Sequence, residues 1–307
     1  MDNVELVILV IAVTIEFVVG ISLNICILLV YIGNLKNGVS LGPSDKVHLT
    51  KALVNVSLHL MMGEQCIISI TWPQLSLTNE VLGWNLAINM FLIFYSYWLT
   101  AVLCGYYCTN ITTCGHQIFV WLKRSLSSHL LHIILVEGLG SFAIGFPTYW
   151  FCNTEPPGNS THQSVVIQST SHFNVSYRSI SSILGCFLPL TIALVATAFT
   201  SWSLLKHMWR LRQNNRGFTW SKFQAQINAT RTMILFLLVS LFYCVTQMAF
   251  TAIQPSAVQD ANIVIWFVIL SYPISEAAII IQSSVRLRSA LLEKVFGRKR
   301  RNGEAET

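Results

Sequence analysis

Two apolar runs of membrane-spanning length, LPLTIALVATAFTSW and TMILFLLVSLFYCV, enclose the cationic stretch KHMWRLRQNNRGFTWSK. Between them lie Lys206, Arg210, Arg212, Arg216, Lys222 and Arg231. Lysine and arginine close to a span hold their loop on the cytosolic side, so the segment from Pro189 to Tyr243 fixes the direction of the whole chain. Composition places it in a bilayer. Of the 307 residues 53% are hydrophobic and 10% charged, where a soluble domain carries roughly a quarter charged residues. The net charge of +6 borders the spans and leaves no basic, aromatic groove, so nucleic acid is excluded as a partner.

Windows of about 20 mostly apolar residues, the length a bilayer requires of a helix, lie near residues 6–32, 47–71, 84–109, 126–150, 178–205, 228–251 and 260–283. The expected fold is all-α, a seven-helix membrane bundle. The start MDNVELVILVIAV is acidic ahead of its apolar run and does not read as a cleaved signal peptide. His48, Lys51, Asn55, His59 and Glu64 interrupt the second window, and Asn85 and Asn89 enter the third. Polar groups at that depth need partners, so these faces are expected to turn inward. With the amino terminus outside, Lys36, Lys46, Lys51, Lys123, Arg124, the central cationic group and the tail cations from Arg286 to Arg301 fall on or near the cytosolic side. Arg178 is the one basic residue on the outer side, while Asp2, Glu5, Glu80, Glu155 and Asp260 are placed outside. This distribution predicts a multi-pass plasma-membrane protein with an extracellular amino terminus and a cytoplasmic carboxyl terminus.

The outer loop CNTEPPGNSTHQSVVIQSTSHFNVSY holds two glycosylation acceptor patterns, at Asn159 and Asn174. Asn110 and Asn228 match the same tripeptide but fall on the cytosolic side, where they are unused. The eight cysteines form no disulfide framework, since most lie in apolar runs where a free thiol behaves as a small hydrophobe. No His, Cys, Asp or Glu group has metal-ligand spacing, no phosphate-binding glycine loop is present, and the short inner loops leave no room for a catalytic domain. Neither a cofactor nor an enzymatic activity is expected. Trp202, Met208, Trp209, Leu211 and Phe218 set apolar side chains among the inner cations, a mixture suited to anionic lipid or to a partner helix.

Several segments resemble the bitter taste receptors, taste receptor type 2, within the G-protein-coupled receptor superfamily. Glu16, Gly20, Ile21 and Asn24 match that family's E-x3-GI-x2-N pattern in span one. Trp98, Leu103, Tyr107, Ile111, Phe119, Leu122 and Lys123 match its block at the inner end of span three. Pro189, Leu194, Ser203, Leu204, Lys206 and His207 fit span five, Ala229, Arg231, Phe236 and Leu237 fit span six, and Pro273, Ile281, Arg286, Leu287 and Arg288 fit span seven. Five segments in the right order cover most of the chain. The sequence departs from the pattern in three places. Asn55 stands where the family has Arg in span two, Tyr106 to Asn110 lack the basic residue of span three, and Glu276-Ala277 replace the His-Ser pair of span seven.

The resemblance implies a receptor domain over residues 1–288 and a basic cytoplasmic tail over 289–307. It implies a small, neutral or weakly polar tastant as ligand and a heterotrimeric G protein of the gustducin/Gi type as partner. By matching position the ligand site is expected at Asn89, Ile93, Tyr243 and Trp266, and the G-protein-facing surface at Lys123, Lys206, His207, Arg210 and Arg212. The alternatives are a type 1 pheromone-like chemosensory receptor, similar in size and tail length, and a small transporter. A transporter is expected to show paired broken helices, which the Pro and Gly positions do not supply.

Overall fold

The computed structural model describes residues 3–72, 75, 78–112, 117–154, 171–173, 175–214, 220–252, 259–284 and 286–290. Long helices dominate: α1 (Asn3–Lys36), α2 (Pro43–Thr71), α3 (Asn79–Ile111), α4 (Gln117–Ser128) and α5 (Leu130–Gly145), then the short α6 (Thr148–Phe151). Further along the chain come α7 (Val175–Ser182), a π-helical turn (Ile183–Phe187), α8 (Leu188–Asn214), α9 (Trp220–Ala252) and α10 (Gln259–Ser283). The sequence marks several boundaries. Pro43 opens α2, where its missing N–H costs nothing, and the Thr78 side chain caps α3 by accepting from the Val81 N–H.

Five of the described helical stretches are long and apolar enough to cross a membrane: Thr14–Lys36, Asn79–Ile111, Leu130–Phe151, Ser176–Trp209 and Gln224–Ala249. The helices α2 and α10 pack among them, α2 against α1 and α3, and α10 against α1 and α9. The outward faces are apolar, with Ile15, Val18, Leu29, Val136, Leu139, Val195, Phe242 and Val245 exposed, while Asn24, Lys51, Asn55, Ser96 and Glu276 are buried. That inversion suits hydrocarbon as the surrounding solvent, since contiguous exposed apolar surface on this scale is not tolerated in water.

The hub is α3. Two thirds of its spanning stretch is buried, against 22% for Leu130–Phe151, so α3 lies inside the bundle and α5 on its rim. The two touch closely at Gly145, where an added Cβ would fall 2.6 Å from the Phe91 backbone nitrogen. Gly20 allows a comparable approach of α1 to the His59 ring of α2.

The fold is all-α as expected, with one short ribbon in which Cys152–Thr154 (β1) and Ser171–Phe173 (β2) pair antiparallel, Cys152 opposite Phe173. One expected boundary differs. The fourth apolar window, placed at 126–150, is broken by His129 at φ −113°, ψ 18°, and the spanning helix starts at Leu130. Residues before the break belong to α4, whose Val120, Trp121, Lys123 and Arg124 are exposed. A helix with cations among exposed apolar groups fits the membrane interface better than its interior.

Candidate ligand cavity and buried polar centre

At the middle of the bundle the Lys51 ammonium has no solvent exposure and all three of its donors are used. Nζ donates to Glu276 Oε1 at 2.6 Å, to Ser96 Oγ at 2.9 Å and to the Ser96 carbonyl at 3.1 Å. Glu276 also accepts from the Tyr272 hydroxyl at 2.8 Å and from Ser96 Oγ at 3.0 Å. The Phe236 ring lies 5.1 Å from the ammonium, within cation–π range. Four helices, α2, α3, α9 and α10, thus converge on one charge pair. A buried charge survives only when paired and hydrogen-bonded, which is the role Glu276 fills.

One helical turn along α2, Asn55 extends this centre toward α1. Its Nδ2 lies 3.3 Å from Asn24 Oδ1 and 3.5 Å from the Pro273 carbonyl, and Asn24 donates to the carbonyls of Gly20 at 2.9 Å and Pro273 at 3.5 Å. The span-one and span-seven motif residues Gly20, Asn24 and Pro273 are therefore one contact region. Lys51, counted from sequence among charges on or near the cytosolic side, is instead an interior residue. Ser96 and Tyr272 carried no signal of their own, being unremarkable residues in apolar helices.

Adjoining the centre is a cavity with about 680 Å³ of empty space, its open mouth included, between α3, the α7–π segment and α9. Ile93, Phe94 and Tyr97 of α3, Arg178 of α7, Cys186 of the π turn and Gln247 of α9 are among the residues lining it. Tyr177 ties its rim to the end of α5, donating to the Ile144 carbonyl at 2.7 Å and sharing a 2.9 Å hydrogen bond with Thr148 Oγ1. Among the described residues, the Tyr97 hydroxyl and Gln247 Oε1 are buried without a hydrogen-bond partner. Such orphaned groups are costly unless something binds them.

Between cavity and charge pair stand three tyrosines. Tyr243 stacks on Tyr272 at 4.3 Å between ring centroids, and Tyr97 meets both at 6.5 and 6.1 Å. Tyr97 lines the cavity and Tyr272 bonds Glu276, so a continuous packed path joins the two sites.

Of the positions expected at the ligand site, Ile93 lines this cavity. Asn89, one turn away on α3, is buried. Its Nδ2 is used internally, donating to Asn85 Oδ1 at 2.6 Å and to the Asn85 carbonyl at 2.9 Å, while its Oδ1 is orphaned. Tyr243 sits in the tyrosine cluster, with its hydroxyl buried and without a hydrogen-bond partner among the described residues. Trp266 lies in α10, and its side chain falls outside the described residues, as do those of Arg210 and Arg212. Lys123, Lys206 and His207 are exposed. Asn159 and Asn174 lie outside the described residues. Among the described residues no group of three or more His, Cys, Asp or Glu could hold a metal ion.

Comparison with known proteins bears on this arrangement. The family profile described as taste receptor protein (TAS2R) matches residues 1–299. Taste receptor type 2 member 40 of Gallus gallus is 24% identical over 208 residues, 66% of either chain. Member 9 of Homo sapiens is 26% identical over 239 residues, 74% of this chain and 72% of its own. Member 124 of Mus musculus is 25% identical over 287 residues, 85% and 88% respectively. The matched stretch spans slightly less than two thirds of the length of the chicken relative and of the member 9 proteins of Macaca mulatta and Pongo pygmaeus.

Proposed function

We propose that this chain, which belongs to the taste receptor protein (TAS2R) family, is a seven-span receptor that detects small molecules from outside and activates a heterotrimeric G protein inside. The observation that carries the reading is the cavity beside Tyr97, joined through Tyr243 and Tyr272 to the Lys51–Glu276 pair. A ligand wedged between α3 and α9 shifts the tyrosine stack and favours one arrangement of the charge pair. The inner helix ends follow, because a ligand moves an equilibrium by its differential affinity for the two states. The family is one of receptors rather than enzymes, so nucleotide exchange belongs to the partner.

The one-sided distribution of Lys and Arg favours an outer amino terminus and a plasma-membrane location. Exposed Lys123, Lys206 and His207, with Arg210 and Arg212, form the face offered to a G protein of the gustducin/Gi type. Residues 289–307 act as a basic cytoplasmic tail. In the cavity the charged lining residue is the Arg178 guanidinium, and Glu276 is already committed to Lys51. Among the described lining residues a cationic ligand finds no carboxylate. A neutral, ring-bearing molecule with one or two hydrogen-bonding groups suits the aromatic walls and the buried acceptor of Gln247, and Asn89, one turn along α3 from Ile93, is proposed to set its orientation from the edge of the site. Trp266 is proposed as a further wall of the site.

Dose–response curves for neutral and cationic bitter compounds, read as calcium release in cells supplied with a promiscuous G protein, test the reading. Asn89→Leu raises the half-maximal concentration about threefold to tenfold, the loss of one hydrogen bond worth roughly 0.5–1.5 kcal/mol net. Selective activation by permanently charged amines, unaltered by Asn89→Leu, refutes the assigned site and its chemistry.

A further inference from the structure

Four sulfur-bearing side chains line the same cavity: Met90 of α3, Cys186 of the π turn, and Cys244 and Met248 of α9. Cys244 and Met248 are four residues apart and so share a helix face. The two cysteines are buried and free, and both line the one cavity from facing helices. A second observation is independent of sulfur. Tyr97, 1% exposed, lines the cavity with a hydroxyl that has no acceptor among the described residues.

Thiolate and thioether donors together select soft ions, with Cu(I) foremost, over Mg or Ca, which prefer oxygen. We propose that the cavity binds one soft monovalent metal ion of the Cu(I) or Ag(I) type through Cys186 and Cys244, with Met90 and Met248 as supporting thioether donors. Binding replaces two S–H bonds by two metal–sulfur bonds and releases two protons, with no change of oxidation state. The product, one monovalent cation and two thiolates, carries a single negative charge. Arg178 offers a compensating positive charge on the same cavity wall, and the Tyr97 O–H gains a thiolate sulfur to donate to. The spacing of His, Cys, Asp and Glu gave no hint of this site because two of its four donors are methionines and its cysteines stand 58 positions apart. Access to the ion rests on the outward placement proposed above, whereas binding itself does not depend on G-protein coupling.

The test titrates the purified full chain with Ag(I) alone and, separately, with Cu(I) in competition with bicinchoninate. One ion per chain is expected, and Cys186→Ser with Cys244→Ser weakens it by at least about a hundredfold, since each lost thiolate removes a primary ligand. Cys104→Ser with Cys108→Ser, another buried pair four residues apart in α3, leaves affinity unchanged. Met90→Leu with Met248→Leu weakens it several-fold. Should the cysteine variant misfold, the unaltered chain still decides: Ag(I) protects Cys186 and Cys244 from N-ethylmaleimide, read by peptide mass. Undiminished affinity in either double variant at the cavity, or equal alkylation with and without Ag(I), overturns the proposal. Calcium responses to a neutral organic agonist, recorded in parallel, separate the two readings. Their absence in the unaltered chain sinks the receptor assignment while leaving the metal titration standing.

Discussion

Removing the Lys51 ammonium alone leaves the Glu276 carboxyl in the bundle interior without its charge partner, held among the described residues by Ser96 and Tyr272. At the 2.6 Å separation and an effective dielectric near 20, 332/(20 × 2.6) gives a gross attraction of about 6 kcal/mol. Much of that is offset by desolvation of both ions, so the net value of the pair is small, while the cost of breaking it from one side is about 3–5 kcal/mol. Lys51→Met or Glu276→Leu alone therefore shifts the folded-to-unfolded ratio by roughly two to three and a half orders of magnitude. Replacing both together removes the unpaired charge, and the double variant returns to within about 1 kcal/mol of the original chain or exceeds it.

The assay is a double-mutant cycle on receptor in detergent, following thermal unfolding beside surface expression in cells. A coupling energy of several kcal/mol is expected, with the double variant restored to the surface and each single variant lost. Single variants that cost less than about 1 kcal/mol, or a double variant as poor as the sum of its parts, refute the reasoning. Signalling in the restored double variant then has its own meaning. If the pair is the bistable element that ligand binding biases, stability recovers but the agonist response does not.

Further outcomes follow from topology and packing. Replacing Asn159 and Asn174 with Gln abolishes the mobility shift produced by glycosidase, whereas Asn110→Gln and Asn228→Gln change nothing; a shift traced to either of the latter overturns the orientation. Neutralising Lys206, His207, Arg210 and Arg212 together lowers maximal calcium release at matched surface expression, and full signalling at normal expression removes that face from the coupling surface. Gly145→Ala costs about 1–3 kcal/mol, because the new methyl meets immovable Phe91 backbone at 2.6–2.8 Å. Gly140→Ala, with nothing within 4 Å, is neutral or stabilises by up to about 1 kcal/mol; equal thermal shifts for the two glycines contradict the packing between α3 and α5.

What the sequence disclosed and what it hid divide along physical lines. Hydrophobic windows and basic loops report the interaction of each segment with the bilayer, a local property, and they located the long helices but not all their ends: α8 runs to Asn214 and α9 starts at Trp220, eight or nine residues beyond the windows, where polar residues continue the helix. The interruptions in span two were legible as a need for partners, since His48, Lys51 and Asn55 cannot face lipid. Which partner each takes is a tertiary fact. Lys51 and Glu276 are 225 positions apart, and no periodicity links them. Two departures from the family pattern, Asn55 for Arg and Glu276 for His, looked separate in sequence. In the structure they lie together: Asn55 stands one turn along α2 from Lys51, whose ammonium is paired with Glu276. Either charge without the other would be stranded in the bundle interior at a cost of several kcal/mol. Lys51 and Glu276 are therefore intelligible only as a pair, and they tie α2 to α10 beside the contact of Asn55 with the Pro273 carbonyl.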